Sequence, residues 1–193
     1  WVPFYASFIF VLLKNFPVKV VMSTIVVITL IILFSDQTAS GILKPLVARM
    51  RPSNPDNPIS PMVHVVQGYR GGRYGFPSSH AANAWSMAFF AQYLVRRSKL
   101  TIFLCLWALI TSYSRMYLGV HYFGDLLIGT LIGFLYATLY YYIFQYFLRK
   151  HTERFKPNHD IRFASVPIIT GLASIWVIIC TSGILSFYSI PLR

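Results

Sequence analysis

The chain has 193 residues, of which 56% are hydrophobic and 11% are charged. Because soluble domains carry about 25% charged residues, this composition indicates a membrane protein and excludes an ordinary soluble domain. Seventeen lysines and arginines against five aspartates and glutamates give a net charge of +12, which favours an anionic substrate or anionic lipid headgroups as partners. Nucleic acid is excluded as a partner, since basic nucleic-acid-binding domains are not built from lipid-facing helices. The length is typical of one membrane domain spanning residues 1–193.

The apolar segments predict an all-α fold, a polytopic bundle of about six transmembrane helices. The first segment, Trp1–Leu13, begins without methionine and is shorter than the roughly 20 residues of a spanning helix. We interpret it as the end of a first helix whose N-terminal part is missing. The other predicted helices are Val18–Phe34 with a less apolar extension to Leu43, Ser79–Val95, Leu100–Tyr113, Phe123–Phe147 and Phe163–Tyr188.

Two segments between these helices differ in composition. Lys44–Phe76 is rich in proline and glycine, which predicts a long loop outside the lipid. Leu148–Arg162 is basic and is predicted as a second loop. Within the helix that precedes this basic loop, Gly129, Gly133 and Ala137 recur at four-residue spacing, so we expect one face to pack closely against a neighbouring helix.

The basic residues predict the orientation in the membrane. If the helices alternate in direction, one side holds Lys14, Lys19, Arg96, Arg97, Lys99, Arg149, Lys150, Arg154, Lys156 and Arg162. The other side holds Lys44, Arg49, Arg51, Arg70, Arg73, Arg115 and Arg193. The positive-inside rule assigns the more basic side to the cytoplasm. The proline- and glycine-rich loop and the Ser114–Asp125 segment are therefore predicted to face the periplasm or exterior, as in a bacterial inner membrane.

Three motifs bring ionisable residues to this predicted outer side. Lys44 and Arg51 are seven residues apart, and two helical turns would return them to nearly the same face. Ser78, in the motif Pro-Ser-Ser-His, is well placed to cap the following helix, whose free N–H groups and dipole attract anions. His121 and Asp125 are four residues apart, so that on a helix the carboxylate can hold one imidazole nitrogen and make the other a nucleophile or base.

Each motif has a simpler interpretation when it is taken alone. The first is then a basic patch at the lipid headgroups, the second a capped helix with a surface histidine, and the third a hydrogen-bonded histidine near a helix start. Together, however, they place cations, a helix N-terminus, two histidines and a carboxylate on one membrane face. Lys44, Arg51 and Arg115 match the charge of a phosphate, with His121 to attack phosphorus and His80 to protonate a leaving oxygen.

At these residues the chain resembles the type 2 phosphatidic acid phosphatases, a family of membrane lipid phosphatases. Their signature is Lys-x6-Arg-Pro, Pro-Ser-Gly-His and Ser-Arg-x5-His-x3-Asp, and the chain matches its order and spacing from Lys44 to Asp125. One departure is Ser79, which stands at the family's glycine, keeps the backbone N–H and adds a side chain close to the phosphate. Glucose-6-phosphatase and vanadium-dependent haloperoxidases share the signature, so it identifies an oxyanion site more surely than a reaction.

The resemblance implies a metal-independent phosphatase without a cofactor, with active-site segments 44–80 and 114–125. His121 would form a phosphohistidine, Asp125 would orient it, His80 would protonate the leaving group, and water would then release phosphate. The residues implied to bind the phosphate are Lys44, Arg51, Arg115, Ser78 and Ser79. The expected substrate is a lipid phosphate or pyrophosphate, such as undecaprenyl pyrophosphate, phosphatidylglycerophosphate or a lipid A phosphate.

Other functions remain open at this stage. A lipid phosphotransferase would use the same phosphohistidine and pass the phosphate to an alcohol. A metalloenzyme would use His80, His121 and Asp125 as ligands, with His64 the only nearby addition. An anion transporter would need ionisable side chains near the middle of the spans, and the predicted spans contain almost none. The candidates for selecting the lipid are Arg49, His64, Arg70, Arg73 and the loop from Tyr69 to Phe76.

Overall fold

A computed structural model describes residues 2–151 and 161–188 of the chain. Its helices are α1 (Val2–Asn15), α2 (Val18–Asp36), α3 (Lys44–Val47), α4 (Ser79–Val95), α5 (Ser98–Tyr117), α6 (Phe123–His151) and α7 (Val166–Tyr188). Two 3₁₀ turns, Ser60–Met62 and Val66–Gly68, lie in the loop between α3 and α4. Among the described residues there is no β-strand, and the all-α prediction is confirmed.

Helices α2 and α3 are joined by a π-helical segment, Gln37–Leu43, into one continuous helix, Val18–Val47. The loop predicted to begin at Lys44 therefore begins after Val47, where Ala48 turns left-handed with a φ of 50°. A proline inside a helix removes a hydrogen bond, and Pro45 lies two residues after the π-helical segment, where the regular pairing is already interrupted. The two ionisable residues Asp36 and Lys44 lie toward the end of this helix that leads into the loop.

Three helical segments among the described residues are long and apolar enough to cross a membrane. They are Val18–Val47, Ser98–Tyr117 and Phe123–Lys150. Val2–Asn15 and Val166–Thr181 are shorter apolar helices. Large apolar side chains on these helices are exposed in the isolated chain, as surfaces that contact lipid require. The molecule is an integral membrane protein built as a helical bundle.

Helix α4 lies at the centre of this bundle. It packs against α2, α5 and α6, and 10 of its 17 residues are buried. Alanines at positions 81, 82, 84, 88 and 91 are among the buried residues, and such small side chains allow neighbouring helices to approach closely. The beginning of α4 is consequently held in place by three surrounding helices.

The closest approach between α4 and α6 occurs at two glycines. A Cβ added to Gly133 would lie 2.5 Å from Ala82 O and 2.8 Å from Ser86 N, and one added to Gly129 would collide with Ser78 O. Ala137, the third small residue, is completely buried. The predicted packing function of these three positions is confirmed.

Other helix boundaries differ from the predicted ones by a few residues. Helix α5 continues past Tyr113 to Tyr117, because no helix breaker occurs before Gly119, whose φ is +69°. Helix α6 extends into the predicted basic loop as far as His151, and α7 begins only at Val166. The predicted cytoplasmic cations Arg154 and Lys156, together with Trp1 and Arg193, lie outside the described residues.

Candidate active site

The structure brings the three predicted motifs together at one end of the bundle. Lys44 reaches the beginning of α4, where its Nζ donates to Ser79 Oγ at 3.4 Å. The beginning of α4 is joined to that of α6 by a hydrogen bond of 3.0 Å from Ser78 N to Asp125 O. Arg51 completes the connection, with its Nη1 3.4 Å from His121 Nε2. Residues that are distant in sequence thus form one polar cluster.

His121 and Asp125 lie at the centre of this cluster. The His121 side chain is 2% exposed and the Asp125 side chain is fully buried, with His121 Nδ1 3.3 Å from Asp125 Oδ2. Arg51 is only a hydrogen-bond donor, so its contact with His121 Nε2 requires that this nitrogen be the unprotonated one. The Nδ1–H then donates to Asp125, and the Nε2 lone pair points toward the cations.

The geometry of this pair differs from the predicted one. Helix α6 begins at Phe123, so His121 precedes the helix, and the expected stacking of the pair on one helical face is wrong. Asp125, in the first turn of α6, instead reaches back toward the preceding residues. Its Oδ2 also accepts a hydrogen bond of 2.8 Å from Tyr122 N, which fixes the carboxylate beside the ring.

Arg49 belongs to this site although it is not part of the signature. Its Nη2 forms an ion pair with Asp125 Oδ1, and its Cζ lies 4.6 Å from the centre of the Phe76 ring and 5.1 Å from that of Tyr122. The prediction for Arg49 was lipid selection from the loop, whereas its guanidinium contacts the carboxylate behind the imidazole. No local pattern indicates this pairing, because the partners are 76 residues apart.

Arg51 is positioned by the backbone of the loop that returns toward α4. Its Nε donates to Tyr74 O at 3.1 Å, and its backbone N donates to Arg73 O at 3.2 Å. The prediction that Lys44 and Arg51 share a helical face is wrong, since the helix ends at Val47. Both cations nevertheless reach the cluster, because the left-handed turn at Ala48 redirects the chain.

The remaining loop candidates have other positions. Arg70 braces the loop, with Nη1 donating to Ser53 O at 2.5 Å and to Ser60 Oγ at 3.0 Å. Arg73 and His64 are exposed, and the ring of His64 lies 6.3 Å from that of Tyr117. No group of three His, Cys, Asp or Glu side chains in the described part of the chain could hold a metal ion. The predicted metal alternative therefore has no ligand cluster among these residues.

The beginning of α4 supplies further polar groups. Ser78 caps the helix as predicted, its Oγ accepting from Ala81 N at 3.3 Å. The side chain of Ser79, the departure from the signature, faces Lys44, and His80 is exposed beside it. Arg115, in the last turn of α5, lies close enough to interact electrostatically with His80 and Arg51.

The protonation state of His121 follows from its surroundings. Burial lowers the pKa of His121 below its ordinary value of 6.5, and the charges of Arg51 and Lys44 act in the same direction, against the hydrogen bond to Asp125. The ring is therefore neutral at pH 7, the form that a nucleophile or general base requires. A neutral imidazole with one unprotonated nitrogen, surrounded by cationic side chains, is a site suited to a phosphate.

Comparison with known proteins agrees with this site. The PAP2 superfamily profile matches residues 5–149. A lipid A 4′-phosphatase of Bacteroides thetaiotaomicron is 45% identical over 189 residues, which cover 94% of this chain and 82% of that protein. A lipid A 4′-phosphatase of Porphyromonas gingivalis is 35% identical over 147 residues, 76% of this chain and 61% of that protein. A dihydrosphingosine 1-phosphate phosphatase of Schizosaccharomyces pombe is 27% identical over 171 residues, 78% of this chain and 39% of that protein.

No solved structure matches the chain significantly, so sequence relatives alone define its family. The profile covers most of the chain and includes all three signature motifs. The chain therefore belongs to the PAP2 superfamily and is a membrane-bound lipid phosphatase.

Proposed function

We propose that this protein hydrolyses a phosphate monoester on a lipid A-type glycolipid through a phosphohistidine at His121. The observation that carries the mechanism is the orientation of the imidazole, with Nδ1 at Asp125 and Nε2 toward Arg51. The substrate class is supported by the two lipid A 4′-phosphatases, which are 45% and 35% identical to the chain. Among the three lipids expected from the sequence, these relatives favour the lipid A phosphate.

In the first step, His121 Nε2 attacks phosphorus. A P–N bond forms while the bond from phosphorus to the lipid oxygen breaks, and His80 donates a proton to that oxygen. Asp125 accepts the Nδ1–H throughout and stabilises the positive charge that develops on the ring. The exposed position of His80 beside Ser79 leaves room for a leaving group next to its imidazole.

In the second step, water attacks phosphorus and the P–N bond breaks. Neutral His80 takes a proton from this water, inorganic phosphate forms, and both histidines return to their starting states. Lys44, Arg51 and Arg115 neutralise the phosphate oxygens, and Ser78, Ser79 and the N–H groups of α4 donate hydrogen bonds to them. These interactions matter most as charge develops in the transition state.

The site is proposed to face the periplasm or exterior of a bacterial inner membrane. This orientation is based on the distribution of lysines and arginines. The loops on the side of the membrane opposite the site contain more of them, and the positive-inside rule assigns that side to the cytoplasm. Lys44 lies near the end of the helix Val18–Val47, at the height where a membrane-length helix leaves the hydrocarbon. A phosphate at this height can be cleaved while its lipid remains in the bilayer.

The test is phosphate release by the purified protein from a panel of lipids: a 4′-phosphorylated lipid A, phosphatidylglycerophosphate and undecaprenyl pyrophosphate. We expect turnover of the glycolipid in the presence of a chelator, and protein denatured in alkaline detergent should carry radiolabel from a labelled substrate on His121, a label that acid then releases. A His121→Ala protein that still hydrolyses the glycolipid would overturn the mechanism. Transfer of label to an added alcohol in preference to water would instead identify a phosphotransferase.

The function of His80 is tested through the leaving group. Because His80 also acts in the second step, the comparison uses kcat/KM, which reports formation of the phosphohistidine and not its hydrolysis. His80→Ala should lower kcat/KM by about 10²–10⁴-fold with a lipid alcohol as leaving group, the usual contribution of a general acid. With p-nitrophenyl phosphate, whose leaving group needs no proton, the loss should be much smaller. Equal losses with both substrates would contradict the assignment of His80 as the acid.

A further inference from the structure

A cavity of about 390 Å³ is lined in part by Ser79 and His80 and extends beyond the groups that the mechanism uses. It lies between helices α1, α2, α4 and α5, and its polar lining includes Asp36 and Asn83. Its apolar lining includes Tyr5, Met87 and Trp107. This volume falls within the range of about 300–1,000 Å³ that is typical of small-molecule sites. The cavity can therefore hold a group the size of a sugar ring.

The cavity extends from the phosphate site into the bundle. Asn83 and Met87 lie about one and two helical turns beyond the beginning of α4, at Ser79. Asp36 and Lys44 lie at opposite ends of the π-helical segment, eight residues apart. The cavity consequently leads from His80 toward the depth where the acyl chains of a lipid begin. A phosphorylated glycolipid has the same order of groups: the phosphate, then the sugar that carries the phosphate, and then the acyl chains.

Two side chains of the cavity lining, Asp36 and Asn83, carry oxygen acceptors with unused hydrogen-bonding capacity. The side-chain oxygen Asn83 Oδ1 is buried and has no hydrogen-bond partner among the described residues. Asp36 Oδ1 accepts a long hydrogen bond of 3.4 Å from Ser40 Oγ, and a carboxylate has room for several more. A hydrocarbon chain would leave both acceptors desolvated and unpaired, which is costly. Hydroxyl groups would satisfy them, while the C–H faces of a sugar would pack against the apolar side chains.

We propose that Asp36 and Asn83 are specificity-determining residues that bind hydroxyl groups of a polyhydroxylated leaving alcohol. The inference rests on the proposed function, because it requires His80 to protonate the oxygen that leaves phosphorus. The group attached to that oxygen must then lie next to His80, where the cavity opens. The ligand class is a sugar esterified to phosphate, in preference to glycerol or a prenyl alcohol.

A rival explanation for Asp36 is an indirect effect on phosphate binding. Asp36 contacts Ser40 Oγ, and Lys44 Nζ donates to the same oxygen at 3.0 Å, so Asp36 can act on Lys44 through Ser40. Loss of that connection would weaken binding of every phosphate to a similar extent. Loss of a sugar contact would affect only substrates and inhibitors that carry hydroxyl groups. The two explanations therefore differ in selectivity.

The experiment compares Asp36→Asn, Asn83→Leu and Ser40→Ala with the wild-type protein in detergent. Two lipids are used, a 4′-phosphorylated lipid A and a diacylglycerol phosphate, and thermal melting verifies that each variant is folded. For Asp36→Asn and Asn83→Leu, kcat/KM for the glycolipid should fall at least about tenfold, the effect of losing a hydrogen bond to a charged or buried group. For the diacylglycerol phosphate, kcat/KM of the same two variants should change less than about threefold. Ser40→Ala should affect both lipids alike.

A second measurement separates this inference from the proposed function. The inhibition constants of a hexose monophosphate and of inorganic phosphate are determined against whichever lipid the protein hydrolyses. Asp36→Asn and Asn83→Leu should weaken inhibition by the sugar phosphate about tenfold and leave that by inorganic phosphate unchanged. Equal effects on both inhibitors would overturn the inference. Failure of the wild-type protein to hydrolyse the glycolipid would overturn the proposed substrate, whatever the inhibition constants show.

Discussion

The Asp125 carboxylate connects three groups of the site. Its Oδ2 lies 3.3 Å from His121 Nδ1 and accepts from Tyr122 N, and its Oδ1 pairs with Arg49. A carboxylate held from three sides cannot rotate, so the imidazole that it holds is oriented as well. Arg49 thus acts on the nucleophile through Asp125, as a positioning residue.

Replacing Arg49 tests this positioning effect. Arg49→Ala should lower kcat about 10- to 100-fold, as is usual for residues that orient a catalytic group, with KM nearly unchanged because Arg49 contacts Asp125. The freed negative charge should also make His121 more basic and move the acid limb of the pH–rate profile upward. Lys19→Ala, at an exposed residue near the opposite end of α2, is the control. An increase in KM with constant kcat would show that Arg49 binds substrate instead.

The lowered pKa of His121 predicts a pH dependence. Burial and the charge of Arg51 both favour the neutral ring, so the nucleophile should remain active at pH 6.5 and lose activity only as the pH falls further. Removing the charge, as in Arg51→Met, should raise the pKa of His121 and shift the acid limb of kcat/KM to higher pH. Because the same substrate is used for both proteins, its own titration cancels in the difference. An unchanged or lowered midpoint would contradict the expectation.

At the scale of elements, the contact between α4 and α6 sets the distance between the two halves of the site. Ser78 N bonds to Asp125 O at 3.0 Å, and Gly129, one turn further along α6, lies against the Ser78 carbonyl. The helix that carries Asp125 and the helix that carries His80 therefore approach each other backbone to backbone. Any side chain at Gly129 must move the two helices apart, because neither backbone can yield.

Gly129→Ala should consequently impair both stability and activity. Overpacking of this kind costs about 1–3 kcal/mol, so thermal unfolding should occur several degrees lower, and kcat should fall at least about tenfold as Ser78 separates from Asp125. Gly72→Ala is the matched control, since a Cβ there meets no atom within 4 Å. A Gly129→Ala protein with normal melting and normal kcat would show that the contact between α4 and α6 can accommodate a Cβ at this position.

For the whole molecule, the charge distribution predicts an orientation that can be measured with single cysteines. Cys105 and Cys180, which are free thiols, are first replaced by serine. Arg73→Cys places an exposed thiol in the loop before α4, and Lys99→Cys places one in the first turn of α5, at the opposite end of the bundle. In right-side-out vesicles a membrane-impermeant maleimide should label Arg73→Cys, and should label Lys99→Cys only after permeabilisation. The reverse pattern would place the active site in the cytoplasm.

Much of this molecule could be predicted because its signals are local. Composition and helical periodicity within a few residues predicted the apolar segments, the cap at Ser78 and the small packing residues Gly129, Gly133 and Ala137. The signature motifs identified the ionisable residues that the structure gathers at one end of the bundle. Their catalytic functions remain predictions.

Other features depend on contacts between distant parts of the chain, which periodicity does not encode. The ion pair of Arg49 with Asp125 joins residues 76 positions apart, and the course of the loop brings Arg51 to His121. The packing of α2 against α4 and α6 brings Asp36, at the end of α2, to the cavity beside His80. Sequence alone determined a membrane protein with a phosphate-binding signature. Tertiary structure decided which groups surround the nucleophile, because only packing brings the four helices of the site together.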